Sequence, residues 1–148
     1  MKKIALIATL ALAAGMASAA DFGARVGYNG GTEKNSAGVT VSDRFGALGA
    51  EAAFDRSTDG KLNVNRYSLV GAYDVAKVAG ATVAVKVGGA YIDPSKGADG
   101  YAGLVGVGVS YPVAKNVALV GDYAYQKGQA RVSSFNGNTV SAGVKVSF

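Results

Sequence analysis

The last nine residues, Val140-Ser-Ala-Gly-Val-Lys-Val-Ser-Phe148, decide what kind of surface this chain can build. Every second residue back from Phe148 is apolar: Val146, Val144, Ala142 and Val140. Between them stand Ser147, Lys145, Gly143 and Ser141, all small or charged. Successive side chains of a strand point to opposite faces, so this segment predicts a strand with one apolar and one polar face.

The other end carries an export pattern. Met1-Lys2-Lys3 is basic, Ile4 to Ala14 is apolar apart from Thr9, and Ala17-Ser-Ala-Ala20 is made of small residues. That is the order of a cleaved secretory leader, and cleavage after Ala19 or Ala20 fits equally. The apolar run is too short for a full membrane span, which argues against the alternative of an uncleaved anchor. The expected division is therefore a leader at 1–20 and one domain at 21–148. Removing the leader takes away Lys2 and Lys3 and lowers the net charge from +5 to +3. No basic run remains to suggest nucleic acid. Cysteine and histidine are both absent. This removes disulfides, thiolate chemistry, imidazole bases, Ser-His and Cys-His pairs, and histidine metal sites. No part of residues 21–148 approaches the ~20 apolar residues of a membrane helix. The other structure that satisfies its backbone in lipid is a closed β-barrel.

Eight alternating segments are readable: Phe22–Asn29, Ala37–Ser42, Gly46–Phe54, Arg66–Asp74, Thr82–Ile92, Tyr101–Tyr111, Val117–Gln126 and Thr139–Phe148. Pro112 cannot donate to a ladder and is expected at a strand boundary. Longer polar connections, including Asp55–Asn63, Asp93–Gly100 and Lys127–Asn138, alternate with short ones. The fold class expected is all-β, an eight-stranded antiparallel up-and-down transmembrane β-barrel with four longer loops on one side and three turns on the other. A soluble periplasmic barrel is the rival. Against it, all eight tyrosines fall on the apolar face, within about two positions of a strand end. Tyr28, Tyr67, Tyr73, Tyr91, Tyr101, Tyr111, Tyr123 and Tyr125, with Phe22 and Phe54, are the expected aromatic belts at two membrane interfaces. Val85, Val87, Val105, Val107, Leu119 and Val144 fill the space between.

The segments "NRYSLVGAYDV", "ATVAVKVGGAYID", "YAGLVGVGVSYPVAKNVALVGDYAYQKG" and "NTVSAGVKVSF" resemble the small eight-stranded OmpA/OmpX-type outer-membrane barrels. The resemblance covers nearly all of residues 21–148 and is strongest over 66–148. It implies residence in the outer membrane of a Gram-negative bacterium. It also implies that Val140, Ala142, Val144, Val146 and Phe148 form the signal read by the barrel-assembly machinery. It does not imply an activity, because this scaffold hosts adhesins, enzymes, channels and structural proteins.

The inward set is mostly small residues, with long members that are charged: Arg25, Arg66, Lys86 and Lys145 against Glu51 and Asp122. An eight-stranded barrel is just wide enough for its own side chains. The charged groups are expected to pair across the lumen and plug it. A rival reading is a narrow passage that favours anions, because these cations outnumber these anions by two. No catalytic, cofactor or metal site is expected. The enzymatic relatives of this fold use histidine, and Asp55, Asp59, Asp93 and Asp99, read as solvated loop residues, match no calcium-loop spacing. The glycines of Gly103-Leu-Val-Gly-Val-Gly-Val109 precede no helix, which excludes a phosphate-binding loop.

Lys34, Arg56, Lys61, Lys96, Lys127 and Arg131 lie in or beside the loops, where they could meet lipopolysaccharide phosphates. Phe135 is read either as a cap on the barrel rim or as a partner contact. The expected partners are outer-membrane lipid and lipopolysaccharide, with no nucleic acid, and the chain is expected to be a monomer. The expected role is structural or surface-interacting. The alternatives are a small channel, or an adhesin acting through its loops.

Overall fold

The computed structural model describes residues 20–59 and 62–148. The expected leader lies outside these residues apart from Ala20. The strands are β1 (Asp21–Asn29), β2 (Lys34–Phe45), β3 (Leu48–Asp59), β4 (Leu62–Val78), β5 (Ala81–Pro94), β6 (Gly100–Ala114), β7 (Val117–Gly128) and β8 (Gly137–Ser147). Each pairs antiparallel with the next, and β8 pairs with β1, which closes the barrel. Closure leaves no strand edge unpaired.

The register fixes the tilt. A circuit of paired residues leaves Tyr111 on β6 and passes Leu119, Val144 and Ala24. It continues through Val39, Phe54, Tyr67 and Tyr91. It returns to β6 at Tyr101, ten residues from its start. Ten residues at ~3.3 Å against eight strands at ~4.8 Å gives a strand tilt of about 40°. Tyr101 and Tyr111 are therefore ~25 Å apart along the barrel axis, the height of the apolar band of a membrane barrel.

Residues 46–47, 79–80 and 115–116 make two-residue turns at one end, the end that also holds Asp21 and Ser147. In the turn between β4 and β5, Ala79 has φ 50° and Gly80 φ 85°. Two left-handed residues in succession match the twist of a hairpin, and Gly80 reaches this conformation without a Cβ penalty. At the other end the connections are residues 30–33, 60–61, 95–99 and 129–136. The last of these contains a 3₁₀ segment, Ala130–Phe135.

Several boundaries correct the sequence reading. β2 runs on through Phe45, and the Asp55–Asn63 loop is strand as far as Asp59 and again from Leu62. Apolar alternation fades in these stretches while hydrogen bonding continues, so the strands outrun their apolar signal. For the same reason several aromatic rings sit well inside their strands, Tyr67 and Tyr123 among them. Pro112 lies inside β6, at a slip of register between Pro112 and Ala114. The missing N–H is accommodated by an irregular ladder rather than by the end of the strand.

Candidate functional site

The lumen is crossed by a bonded chain of alternating charges. Arg66 on β4 donates from Nη2 to Asp55 Oδ2 at 2.8 Å. Asp55 on β3 also receives a fork from Arg25 on β1, with Nε to Oδ1 at 2.8 Å and Nη2 to Oδ2 at 2.6 Å. Arg25 Nη1 reaches Glu51 Oε1 at 3.1 Å. Glu51 Oε2 accepts from Lys86 Nζ at 3.1 Å, and the same ammonium meets Asp122 Oδ1 at 2.6 Å. The order is Arg66, Asp55, Arg25, Glu51, Lys86, Asp122, and the charges sum to zero. Nearer the turns, Lys145 pairs with Asp21 at 3.3 Å, and Arg44 pairs with Asp74.

Small residues make room for this chain. Arg25 is flanked in register by Gly38 and Gly143, Asp55 by Gly38, and Asp122 by Gly108. A Cβ on Gly143 would lie 2.9 Å from Arg25 Cβ, and one on Gly108 would lie 2.8 Å from Lys86 Cε. Packing at these distances leaves no space for even one added methyl. Small hollows of about 40, 50 and 40 Å³ remain along the lumen. Each is room for a few waters.

All six residues expected to line the lumen, Arg25, Glu51, Arg66, Lys86, Asp122 and Lys145, point inward and are ion-paired. Asp55 is the residue the sequence reading missed. It is 4% exposed and joins the two guanidiniums, so it is no solvated loop residue. Counting on two positions from Glu51 and Ala53 would have placed it on the same inward face. With Asp55 and Asp21 included, the four expected cations face four anions, and Arg44 with Asp74 adds one of each, which removes the cation excess behind the anion-passage reading.

The mouth on the longer-loop side is covered. Val132 is fully buried and packs with Val64, Ile92 and Ala102, and Phe135 lies against the same cluster. Gln126, 1% exposed, donates from Nε2 to the Phe135 carbonyl at 2.9 Å. Its Oε1 accepts from Arg66 Nη1 at 3.3 Å. Phe135 is thus a rim cap.

The outer face is apolar. Val26, Val39, Leu69, Val87, Val105 and Val140 are each more than half exposed. Val140, Ala142, Val144 and Val146 face outward on β8 opposite Tyr28, Val26, Ala24 and Phe22. Phe148 stacks edge-on against Phe22 at 5.8 Å. Phe54, Tyr67, Tyr91 and Tyr101 are register partners whose rings follow one another at 5.1, 6.4 and 5.2 Å. Tyr28 and Tyr125 face outward near the longer loops, and Tyr73 and Tyr111 near the turns. Tyr123 sits between Val107 and Val140. Arg56, Lys96, Lys127 and Arg131 are exposed, Lys34 lines the hollow at the mouth, and Lys61 lies outside the described residues. Among the described residues, no group of acidic side chains is placed to hold a metal ion.

No family model matches the chain, and no curated protein matches it in sequence. Solved structures do match in shape. The N-terminal β-barrel domain of Pseudomonas aeruginosa OprF superposes with a TM-score of 0.73 at 14% identity, covering 88% of this chain and 98% of that one. Neisserial surface protein A gives 0.69 at 19% identity, covering 88% and 95%. A de novo designed transmembrane β-barrel gives 0.58 at 14% identity, covering 88% and 96%. The fold is therefore that of the eight-stranded outer-membrane barrels. The designed barrel among the matches shows how little of that likeness concerns activity.

Proposed function

We propose that this chain is an integral outer-membrane barrel with a structural role, its lumen closed to solutes by its own charged side chains. The observation that carries this reading is the chain from Arg66 to Asp122, neutral in sum and bonded from wall to wall. A solute would have to separate buried ion pairs to pass, and leaving one charge unpaired costs about 3–5 kcal/mol. The apolar outer wall supports the membrane location, since an aqueous monomer does not leave such a band uncovered. The turns, with Asp21 and Ser147, then face the periplasm, and the longer loops face out. Arg56 and Lys127 are exposed on outward positions of β3 and β7, which supports a contact with lipid phosphates.

The test refolds the purified barrel, residues 21–148, into detergent micelles and planar bilayers. Expected are a band whose gel mobility changes on boiling, and bilayers without discrete conductance steps. Reproducible single-channel steps would overturn the closed lumen. Folding in plain buffer without detergent would overturn the membrane reading.

A further inference from the structure

Among the described residues, three acidic side chains are buried: Glu51, Asp55 and Asp43. Glu51 and Asp55 are held by the cations of the lumen. Asp43 is 6% exposed, and among the described residues no cation pairs with it. Its carboxylate accepts from the backbone N–H of Arg44 at 2.7 Å. By register Asp43 stands on the outward row of β2, between Val41 and Phe45, while Arg44 beside it points inward to Asp74. A buried carboxylate left without a cation is costly.

The start of β1 lies next to this carboxylate. Asp21 pairs with Ser42 on β2 and with Ser147 on β8. Continuing both ladders by one step sets Ala20 opposite Asp43 on β2 and opposite Phe148 on β8. Ala20 is buried, so it is held at this position between the two strands. Opposed residues of an antiparallel pair lie ~4.5–5.5 Å apart between their Cα atoms. An α-amine on Ala20 would fall within reach of the Asp43 carboxylate. The residue pattern alone admits cleavage after Ala19 or after Ala20. Cleavage after Ala20 would set the amine one step further along, opposite Ser42, and would leave Asp43 without a cation.

We infer that the leader is removed between Ala19 and Ala20, and that the α-amine this frees pairs with Asp43 and locks the start of β1 onto β2. This rests on the leader reading of the sequence and on the turn end facing the periplasm. A leader peptidase adds water across the Ala19–Ala20 peptide bond. The hydroxyl completes a carboxyl group on Ala19, and the hydrogen goes to the nitrogen of Ala20. An α-amine titrates at about 7.7–8.0, so at neutral pH this nitrogen takes up a further proton and becomes an ammonium. An ammonium donates to a carboxylate more strongly than the neutral peptide N–H it replaces. While the leader is attached the nitrogen carries no charge, so the lock forms only in the processed chain. It forms at the seam where β1 meets β8, two strands that no turn joins.

Sequencing the amino terminus of the protein recovered from outer membranes tests the cleavage position. The expected first residue is Ala20. A chain that begins at Asp21, or one that still begins at Met1, overturns the proposal. The pairing is tested on residues 20–148 refolded in lipid, with the α-amine free or acetylated, in wild type and in Asp43→Asn. Urea titration read by gel mobility compares the four. In wild type, acetylation is expected to shift the equilibrium toward the unfolded chain by about five-fold or more. In Asp43→Asn it is expected to change nothing. A glycine-serine extension ahead of Ala20 carries the amine away from an intact Asp43 and is expected to act as acetylation does. Equal effects of acetylation in both chains, or no effect in wild type, overturn the pairing. Boiling-dependent gel mobility of each sample separates these outcomes from failure of the membrane reading itself.

Discussion

The two faces of the same wall treat glycine in opposite ways. On the inner face, Gly88, Gly106, Gly108 and Gly143 are pressed by neighbouring backbone or by the charged side chains. On the outer face, Gly71, Gly89, Gly103 and Gly121 meet at most an ordinary contact. Inside, each residue is fixed by a particular neighbour: Arg25 is long because Gly38 and Gly143 beside it are not. Outside, the requirement is one of character, apolar between two levels of aromatic rings, and Val, Leu or Ala serve nearly alike. Fold specificity therefore concentrates in the lumen, and membrane compatibility is spread over the wall. The arrangement inverts that of a soluble barrel, where the interior is apolar and exchangeable and the exterior is polar.

The sharpest way to break this contrast is at Asp55. Asp55→Ala leaves Arg25 and Arg66 facing one another without their shared carboxylate, and should cost about 3–5 kcal/mol. Urea titration of the refolded protein in lipid, read by gel mobility, measures it. A loss below ~1 kcal/mol would mean the network contributes no specific stability. On the outer face, a lysine at Val107, midway between Tyr101 and Tyr111, should cost about 2–4 kcal/mol by the same titration, because hydrocarbon offers the ammonium no partner. Val107→Leu at the same site should stay within about 0.5 kcal/mol of wild type. If lysine were tolerated as well as leucine, the outer face would be meeting water.

The same contrast explains what could be read from residues alone. Strand number, parity and the inward charges follow from a period of two, and that period persists wherever one face is apolar. It fails at Asp55 and Arg56, where the β3–β4 hairpin extends past its apolar residues and polar side chains alternate with polar side chains. Local composition there resembles a loop, and the pairing that makes it strand comes from β2 and β4, distant in sequence. The bonded order of the charges was likewise unreadable, since it depends on the stagger of ten residues around the barrel. The rim cap at Val132 and Phe135 left a trace as apolar residues in a polar loop, without indicating what they cover.

The finest test uses two glycines on one strand. Gly106 points inward on β6, and a Cβ there would lie 2.7 Å from Ala124 Cα, with the Tyr123 carbonyl closer still. Relief requires moving β6 away from β7, so Gly106→Ala should destabilise by about 1–3 kcal/mol. Gly103 points outward three residues away, where the added methyl meets nothing within 4 Å. Gly103→Ala restricts the unfolded chain without straining the folded one, and should be neutral or stabilise by about 0.4–1 kcal/mol. The two substitutions are chemically identical and share a strand, so intrinsic propensity cancels in the comparison. Equal effects by urea titration would show that strand propensity, rather than the crowding of the lumen, governs glycine in this barrel. Opposite signs would place the constraint on the inner face alone.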